Sequence, residues 1–207
     1  KKMKAIIISA GYGSRLENKT KDKPKGLLDI NGRSIIERQI SLFKKNGIND
    51  IIIITGPIEN FGIKNVSYIN DKNYDEHDVL GSLMAAKIEL TGEIITSYSD
   101  ILFEERILKQ IIASTKNIGI PIDLKWEKSY ENRTEHPKSE ADNVLLKNKQ
   151  IIKIQKGIFE KKHDEAIGEF LGPIKFSSKG MKSFVSTFEK LEKNHEGSFH
   201  NAPSLKK

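Results

Sequence analysis

The chain has no cysteine among its 207 residues. Disulfides, thiolate metal sites and cysteine nucleophiles are thereby excluded, and any metal must be held by oxygen or imidazole. Long hydrophobic runs are missing too, since no stretch approaches the roughly 20 apolar residues that cross a bilayer. Lys1 to Ile8 passes straight into a strand pattern with no signal-peptide cleavage region, so the sequence predicts a cytoplasmic protein without a membrane partner. Aromatic residues are scarce, at 7%, and the only tryptophan is Trp126. This scarcity bears on the net charge of +7, which by itself would permit a nucleic-acid partner. Such a partner calls for a basic stripe interleaved with aromatics, or a docking motif, and neither is present. Nucleic acid is therefore not expected, and most lysines read as a solvated surface that favours anions, phosphorylated small molecules among them. His136, His163, His195 and His200 show no ligand spacing.

What is present is the patterning of a globular α/β chain. Apolar residues make up 37% and charged residues 30%, a balance that suits one domain with a full core, or one domain with a small insertion. Ala5 to Ser9 is a short apolar run closed by Gly11-Tyr12-Gly13, which reads as a buried strand entering a tight loop. Ser34, with Glu37 three residues on, carries a capping-box signature, and Ile35, Ile36, Ile40 and Phe43 recur at helical steps until Gly47. Ile51 to Ile54 forms a second buried strand, and strand-loop-helix-strand is the unit that builds a parallel sheet. Beyond it the pattern predicts a strand over 66–69, a helix over 80–90, a strand over 93–98, a helix over 102–114 and a strand over 120–124. A polar excursion over 125–139 follows, then a hairpin of 143–146 with 150–154, a strand over 168–176 and a helix over 179–191.

The chemistry is concentrated in three places. Ser9-Ala10-Gly11-Tyr12-Gly13-Ser14-Arg15-Leu16 puts small residues directly after the first strand, so that backbone N–H groups can approach a polyphosphate, with Arg15 able to fork onto its oxygens. It is not a Walker A loop, because no Gly-Lys-Ser/Thr follows, and a third dinucleotide-type glycine is replaced by Arg15-Leu16. In Lys23-Pro24-Lys25-Gly26, Pro24 restricts the backbone and so limits where Lys25 can point. Asp100 stands at the carboxyl end of a predicted strand, the edge where open α/β sheets bind ligands, and such a carboxylate can hold Mg²⁺ against phosphate oxygens. A cap for the helix predicted near Leu102 is the alternative for Asp100.

A glycine loop ending in Arg-Leu followed by a Pro-Lys pair resembles the sugar-nucleotidyltransferase-like superfamily. Within it, the segments SAGYGSRL, KPKGLLDINGRSIIERQI, DVLGSL, SYSDILF, YENRTEHP and GEFLGPIKFS look most like phosphonate cytidylyltransferases, which act on 2-aminoethyl- or 2-hydroxyethylphosphonate, and next most like phosphocholine cytidylyltransferases. The resemblance implies a three-layer, Rossmann-like α/β fold with a mixed, mainly parallel central sheet, forming a single nucleotidyltransferase domain over 1–207 with an acceptor-binding excursion near 125–157. It implies nucleotide contacts from Ala10, Gly11, Gly13, Ser14, Arg15 and Lys25, a metal role for Asp100 with Mg²⁺ as cofactor, and catalytic roles for Arg15, Lys25 and Asp100. Asp78 and Ser82 fall in the stretch that faces the nucleobase in that superfamily, although capping of the next helix explains Asp78 equally well. Arg133, Lys156 and Glu169 are the acceptor candidates, each able to be a surface charge instead.

The implied activity is transfer of CMP from CTP to a small phosphonate with release of pyrophosphate. A phosphocholine or sugar 1-phosphate acceptor, and a nucleotide-sensing domain without catalysis, are the alternatives. A homodimer is a further expectation. The superfamily usually adds a second metal carboxylate from a late strand, and no such segment precedes Lys207, so the C-terminal end of the family fold is expected to be missing from these residues.

Overall fold

Two isoleucine-rich strands set the centre of the fold, because each is apolar on both sides and needs cover on both. They are β1 (Lys4–Ser9) and β4 (Asp50–Thr55), with the short antiparallel pair β2 (Asp29–Ile30) and β3 (Arg33–Ser34) between them in the chain. The computed structural model describes residues 2–11, 24–133 and 137–194. These divide between two compact units, Lys1–Gly119 with Pro173–Lys207, and Ile120–Gly172.

In the first unit β1 pairs in parallel with β4 on one side and with β6 (Ile94–Tyr98) on the other, while β5 (Ser67–Asn70) extends the sheet beyond β4. β7 (Ile118–Gly119) and β12 (Ile174–Phe176) complete the order β5-β4-β1-β6-β12-β7, with β12 antiparallel to both its neighbours. Helices α1 (Ile35–Lys45) and α3 (Glu105–Ala113) cover one face, where Ile36, Ile40, Phe43, Leu108 and Ile111 meet Ala5, Ile7, Ile51, Ile53 and Ile95. Helices α2 (Val79–Ala85) and α4 (Ser178–Asn194) cover the other, where Leu83, Met181 and Phe184 meet Ile6, Ile52, Ile54 and Ile94. The result is the three-layer α/β arrangement with a mixed, mainly parallel sheet. From β1 the chain builds outward through β4 to β5 and then returns to the opposite side of β1 as β6. The strand order therefore reverses between β1 and β6, and the crevice at their carboxyl ends is where such sheets bind ligands.

The second unit holds β8 (Ile122–Asp123), β9 (Asp142–Lys147), β10 (Gln150–Lys156) and β11 (Glu165–Phe170) in the antiparallel order β10-β9-β11-β8. Its hairpin turns at Asn148 and Lys149, both at positive φ (51° and 60°), the twist-matched two-residue geometry. The excursion expected near 125–157 lies within this unit.

Several predicted boundaries shift for identifiable reasons. The strand expected over 120–124 is only β8, and the earlier strand β7 ends before Pro121, which has no N–H to give a ladder. The strand expected over 168–176 divides at Gly172 (φ 98°) and Pro173, so β11 and β12 belong to different sheets. Helix α3 starts at Glu105, not Leu102: residues 101–104 form no helix, the N-cap Glu104 is extended, and Phe103 packs against Phe43, ring centroids 6.0 Å apart. The helix expected over 80–90 ends at Ala85, and a separate 3-10 turn, Lys87–Glu89, follows.

The capping box of α1 forms as expected: the Ser34 hydroxyl accepts from the Glu37 N–H at 3.3 Å and the Glu37 carboxylate accepts from the Ser34 N–H at 2.8 Å. The Ser34 backbone bond, then its hydroxyl, hold the Glu37 carboxyl below its ordinary range. Ser34→Ala should cost about 1 kcal/mol in urea unfolding at neutral pH. A group with a depressed folded pKa contributes above its unfolded value and stops contributing as pH falls through the folded one, so this deficit should shrink below about pH 4. A deficit that grows on acidification would contradict the assignment.

Candidate active site

β1 delivers Ala10, only 2% exposed, and then Gly11 to the mouth of the crevice. The exit is shaped by Gly56, directly after β4, where a Cβ would fall 2.1 Å from the Ala10 carbonyl oxygen. Only glycine lets the two strand ends pass that closely. Among the described residues nothing lies within 4 Å of a Cβ at Gly11. Gly13, Ser14 and Arg15 lie outside the described residues.

Pro24 opens a single 3-10 turn, Lys25–Leu27, closed by the Leu27 N–H to the Pro24 carbonyl at 2.9 Å. Its middle residue is the contact point. A Cβ on Gly26 would stand 2.7 Å from Ile36 Cδ1 and 2.7 Å from Ser99 Cβ, so the turn is wedged between α1 and the residue preceding Asp100. Lys25 Nζ thereby lies 3.9 Å from Asp100 Oδ2, with side chains 32% and 45% exposed. At that exposure the pair adds at most about 1 kcal/mol to stability. Its meaning is positional, because a cation suited to phosphate and a carboxylate suited to a metal stand side by side where the strand order reverses. Asp100 does not cap α3, whose N-cap is Glu104.

β6 runs one ladder step past Tyr98, with the Ser99 N–H donating to the Ile8 carbonyl at 3.0 Å. The next restraint comes from Gln39 on α1, 2% exposed, whose amide donates to the carbonyls of Tyr98 and Ile101, both at 2.7 Å, and accepts from the Ser97 hydroxyl at 3.0 Å. Sequence reasoning passed over Gln39. The available signal was an amide inside the apolar stripe of Ile35, Ile36, Ile40 and Phe43, which a buried helix face carries only if its hydrogen bonds are met.

Asp78 caps α2, its carboxylate accepting from the Gly81 N–H at 2.9 Å, and Ser82 is 4% exposed within the same helix. The loop leading there is tied by Asp71, 2% exposed, which pairs with His77 Nδ1 at 2.9 Å and accepts from the Asn73 N–H at 3.1 Å. Neither residue was singled out from the sequence, since the pair forms only once the loop closes.

Within the second unit two of the three acceptor candidates converge on one ring. Glu169 accepts a hydrogen bond from the Tyr130 hydroxyl, and the Arg133 guanidinium carbon sits 4.5 Å from the Tyr130 ring centroid. Buried Trp126 meets the same ring edge-on at 5.6 Å. Lys156 pairs in register with Asp142, and Glu169 with the next residue, Asn143, so Lys156 belongs to the opposite face of that sheet.

Among the described residues no three His, Asp or Glu side chains cluster as a metal cage, and no helix is long and apolar enough to cross a membrane. A lone carboxylate nevertheless fits Mg²⁺, which is commonly held by one or two carboxylates together with substrate phosphates and water.

Two outcomes follow from this geometry. Gly26→Ala should cost about 1–3 kcal/mol in urea unfolding; a change within about 0.5 kcal/mol, the size of an ordinary surface substitution, would contradict the wedge. Burial, then the bond to Glu169, push the Tyr130 phenol up to about 12. Spectrophotometric titrations of the wild type and Tyr130→Phe should therefore coincide up to about pH 11, and a step missing from the variant near pH 10 would contradict the environment described.

Residues 5–127 match the model of the MobA-like NTP transferase domain. The CTP:phosphoglutamine cytidylyltransferase of Campylobacter jejuni is 29% identical over 206 residues, covering 93% of this chain and 80% of that enzyme. The choline-phosphate cytidylyltransferase of Streptococcus pneumoniae is 37% identical over 121 residues, 55% of this chain, and the match spans about half of that enzyme, 52%. In fold, the chain resembles the solved CTP:phosphocholine cytidylyltransferase of Streptococcus pneumoniae with a TM-score of 0.67 at 23% identity, over 97% of this chain and 81% of that one. The family model spans more than half of the residues, and its match ends beyond β6 and Asp100; the chain belongs to the MobA-like NTP transferase domain family.

Proposed function

We propose that this chain transfers CMP from CTP to a small phosphorylated or phosphonate acceptor and releases pyrophosphate. The observation that carries the reading is the approach of Lys25 to Asp100 within 3.9 Å at the reversal of strand order. Two cytidylyltransferases among the relatives, acting on phosphoglutamine and choline phosphate, support CTP as the donor.

In the reaction an acceptor oxygen bonds to the α-phosphorus of CTP while the bond from that phosphorus to the bridging oxygen breaks, and the electron pair leaves with pyrophosphate. Both reactants are anions, so the protein's task is to bring them together and neutralise charge. Lys25 offsets charge on the triphosphate beside the backbone of Ala10 and Gly11, with Gly13, Ser14 and Arg15 assigned to the same donor. Asp100 is the residue that would hold Mg²⁺, which supplies further neutralisation of phosphate charge when bound. Ser82 and the start of α2 are assigned to the base, while Asp78 serves them through its cap.

For the acceptor, Arg133 suits a phosphoryl or phosphonyl group and Glu169 an amine or hydroxyl. Their convergence on Tyr130 supports a small acceptor bearing both kinds of group, with 2-aminoethylphosphonate the first choice and phosphocholine the second. Lys156, on the other sheet face, has no part in this reading.

The test is pyrophosphate release with each of four NTPs against 2-aminoethylphosphonate, 2-hydroxyethylphosphonate, phosphocholine and a sugar 1-phosphate. CTP with a phosphonate should be the most active combination. CTP binding without release in any combination would contradict catalysis. Lys25→Ala should lower turnover by about two orders of magnitude, the loss seen when one electrostatic stabiliser is removed, and near-normal turnover would remove Lys25 from the site.

A further inference from the structure

We infer that Gln39 is a positioning residue for the cation site: it sets the orientation of the Asp100 carboxylate from the far side of the loop. The inference rests on the reading of Asp100 as the magnesium carboxylate. Gln39 is 2% exposed, and both its amide protons and its oxygen are engaged, to the Tyr98 and Ile101 carbonyls at 2.7 Å each and from the Ser97 hydroxyl at 3.0 Å. Residues 98 and 101 bracket Ser99 and Asp100. Among the described residues the sheet ladder reaches to the Ser99 N–H, and further along Phe103 packs on Phe43. Between those points the Gln39 side chain grips the backbone on both sides of Asp100.

The same helix holds the other half of the site. Ile36, one turn before Gln39, is the residue against which Gly26 is wedged beside Ser99. Helix α1 is thus the common reference for Lys25 and Asp100, and Ser97 holds the Gln39 amide in the rotamer that serves both carbonyls. An apolar residue of similar volume would fill the position as well if packing were its whole purpose. It would take the donor from the Ile101 carbonyl and leave the Tyr98 carbonyl only the Ser97 hydroxyl, 3.3 Å away, and the arc of backbone carrying Asp100 would relax. Partners that orient a metal ligand typically change metal affinity by about 10- to 100-fold when removed.

The experiment measures Mn²⁺ binding to the CTP-loaded full chain by electron paramagnetic resonance, and CTP binding without metal by calorimetry. The proteins compared are wild type, Gln39→Leu, Ser97→Ala and Asp100→Asn. Gln39→Leu should weaken Mn²⁺ by about tenfold while metal-free CTP affinity stays within about twofold; Ser97→Ala should shift Mn²⁺ in the same direction by a smaller factor. A folded Gln39→Leu with wild-type Mn²⁺ affinity, or with equal losses for metal and nucleotide, would overturn the inference. If Gln39→Leu does not fold, Ser97→Ala decides, and unchanged Mn²⁺ affinity in it overturns the inference. Unchanged Mn²⁺ binding in Asp100→Asn would bring down the reading of Asp100 itself, an outcome separable from failure at Gln39 alone.

Discussion

The candidate site depends on a contact between backbone and side chain that only a missing Cβ allows. Gly26 lets the turn of Pro24 and Lys25 settle between Ile36 and Ser99, where any larger residue would stand 2.7 Å from both. From that seat Lys25 reaches Asp100, although 75 positions separate them in the chain (100 − 25). The ion pair is a consequence of this seating and not its cause, since two half-exposed charges contribute little energy. What holds the arrangement is the packing of α1 on the sheet beneath, with Ile36 and Phe43 fully buried.

That packing also explains why the site lies where it does. Because β1 and β4 are apolar on both faces, they must run at the centre of a covered sheet. Building outward on one side of β1 and then on the other leaves diverging loops at the carboxyl ends of β1 and β6. The residues placed there are small or polar: Ala10, Gly11, Ser99 and Asp100. Gln39 and Ser97 form a buried hydrogen-bonded pair between α1 and β6, tied to the backbone that carries Asp100.

The parts legible in the sequence were those written locally. The isoleucine runs, the Ser34–Glu37 box and the glycine that stops α1 each carry their signal within a few residues, and the parallel unit followed from them. Asp100 was legible because a strand pattern ends just before it, and Lys25 because Pro24 precedes it. The breaks at Pro121 and Gly172-Pro173 were also written locally, as a residue without an N–H inside an expected strand, but the apolar patterns on either side outweighed them in the reading. Other features depend on distant partners and left no such mark. Gly26 needs Ser99, Gly56 needs Ala10, Asp71 needs His77, and Gln39 needs two carbonyls about 60 positions away. Lys156 shows the opposite case: its place after an apolar strand is readable, but the sheet face it occupies follows from the register with Asp142.

The central claim is that Gly11, Lys25 and Asp100 together border one site for a triphosphate and its metal. A crystal structure of the protein soaked with CTP and Mg²⁺ tests it most directly. The account predicts triphosphate density between the Gly11 backbone and Lys25 Nζ, with a magnesium ion at about 2.0–2.1 Å from an Asp100 carboxylate oxygen. Nucleotide bound elsewhere on the sheet, or a metal with no contact to Asp100, would contradict it.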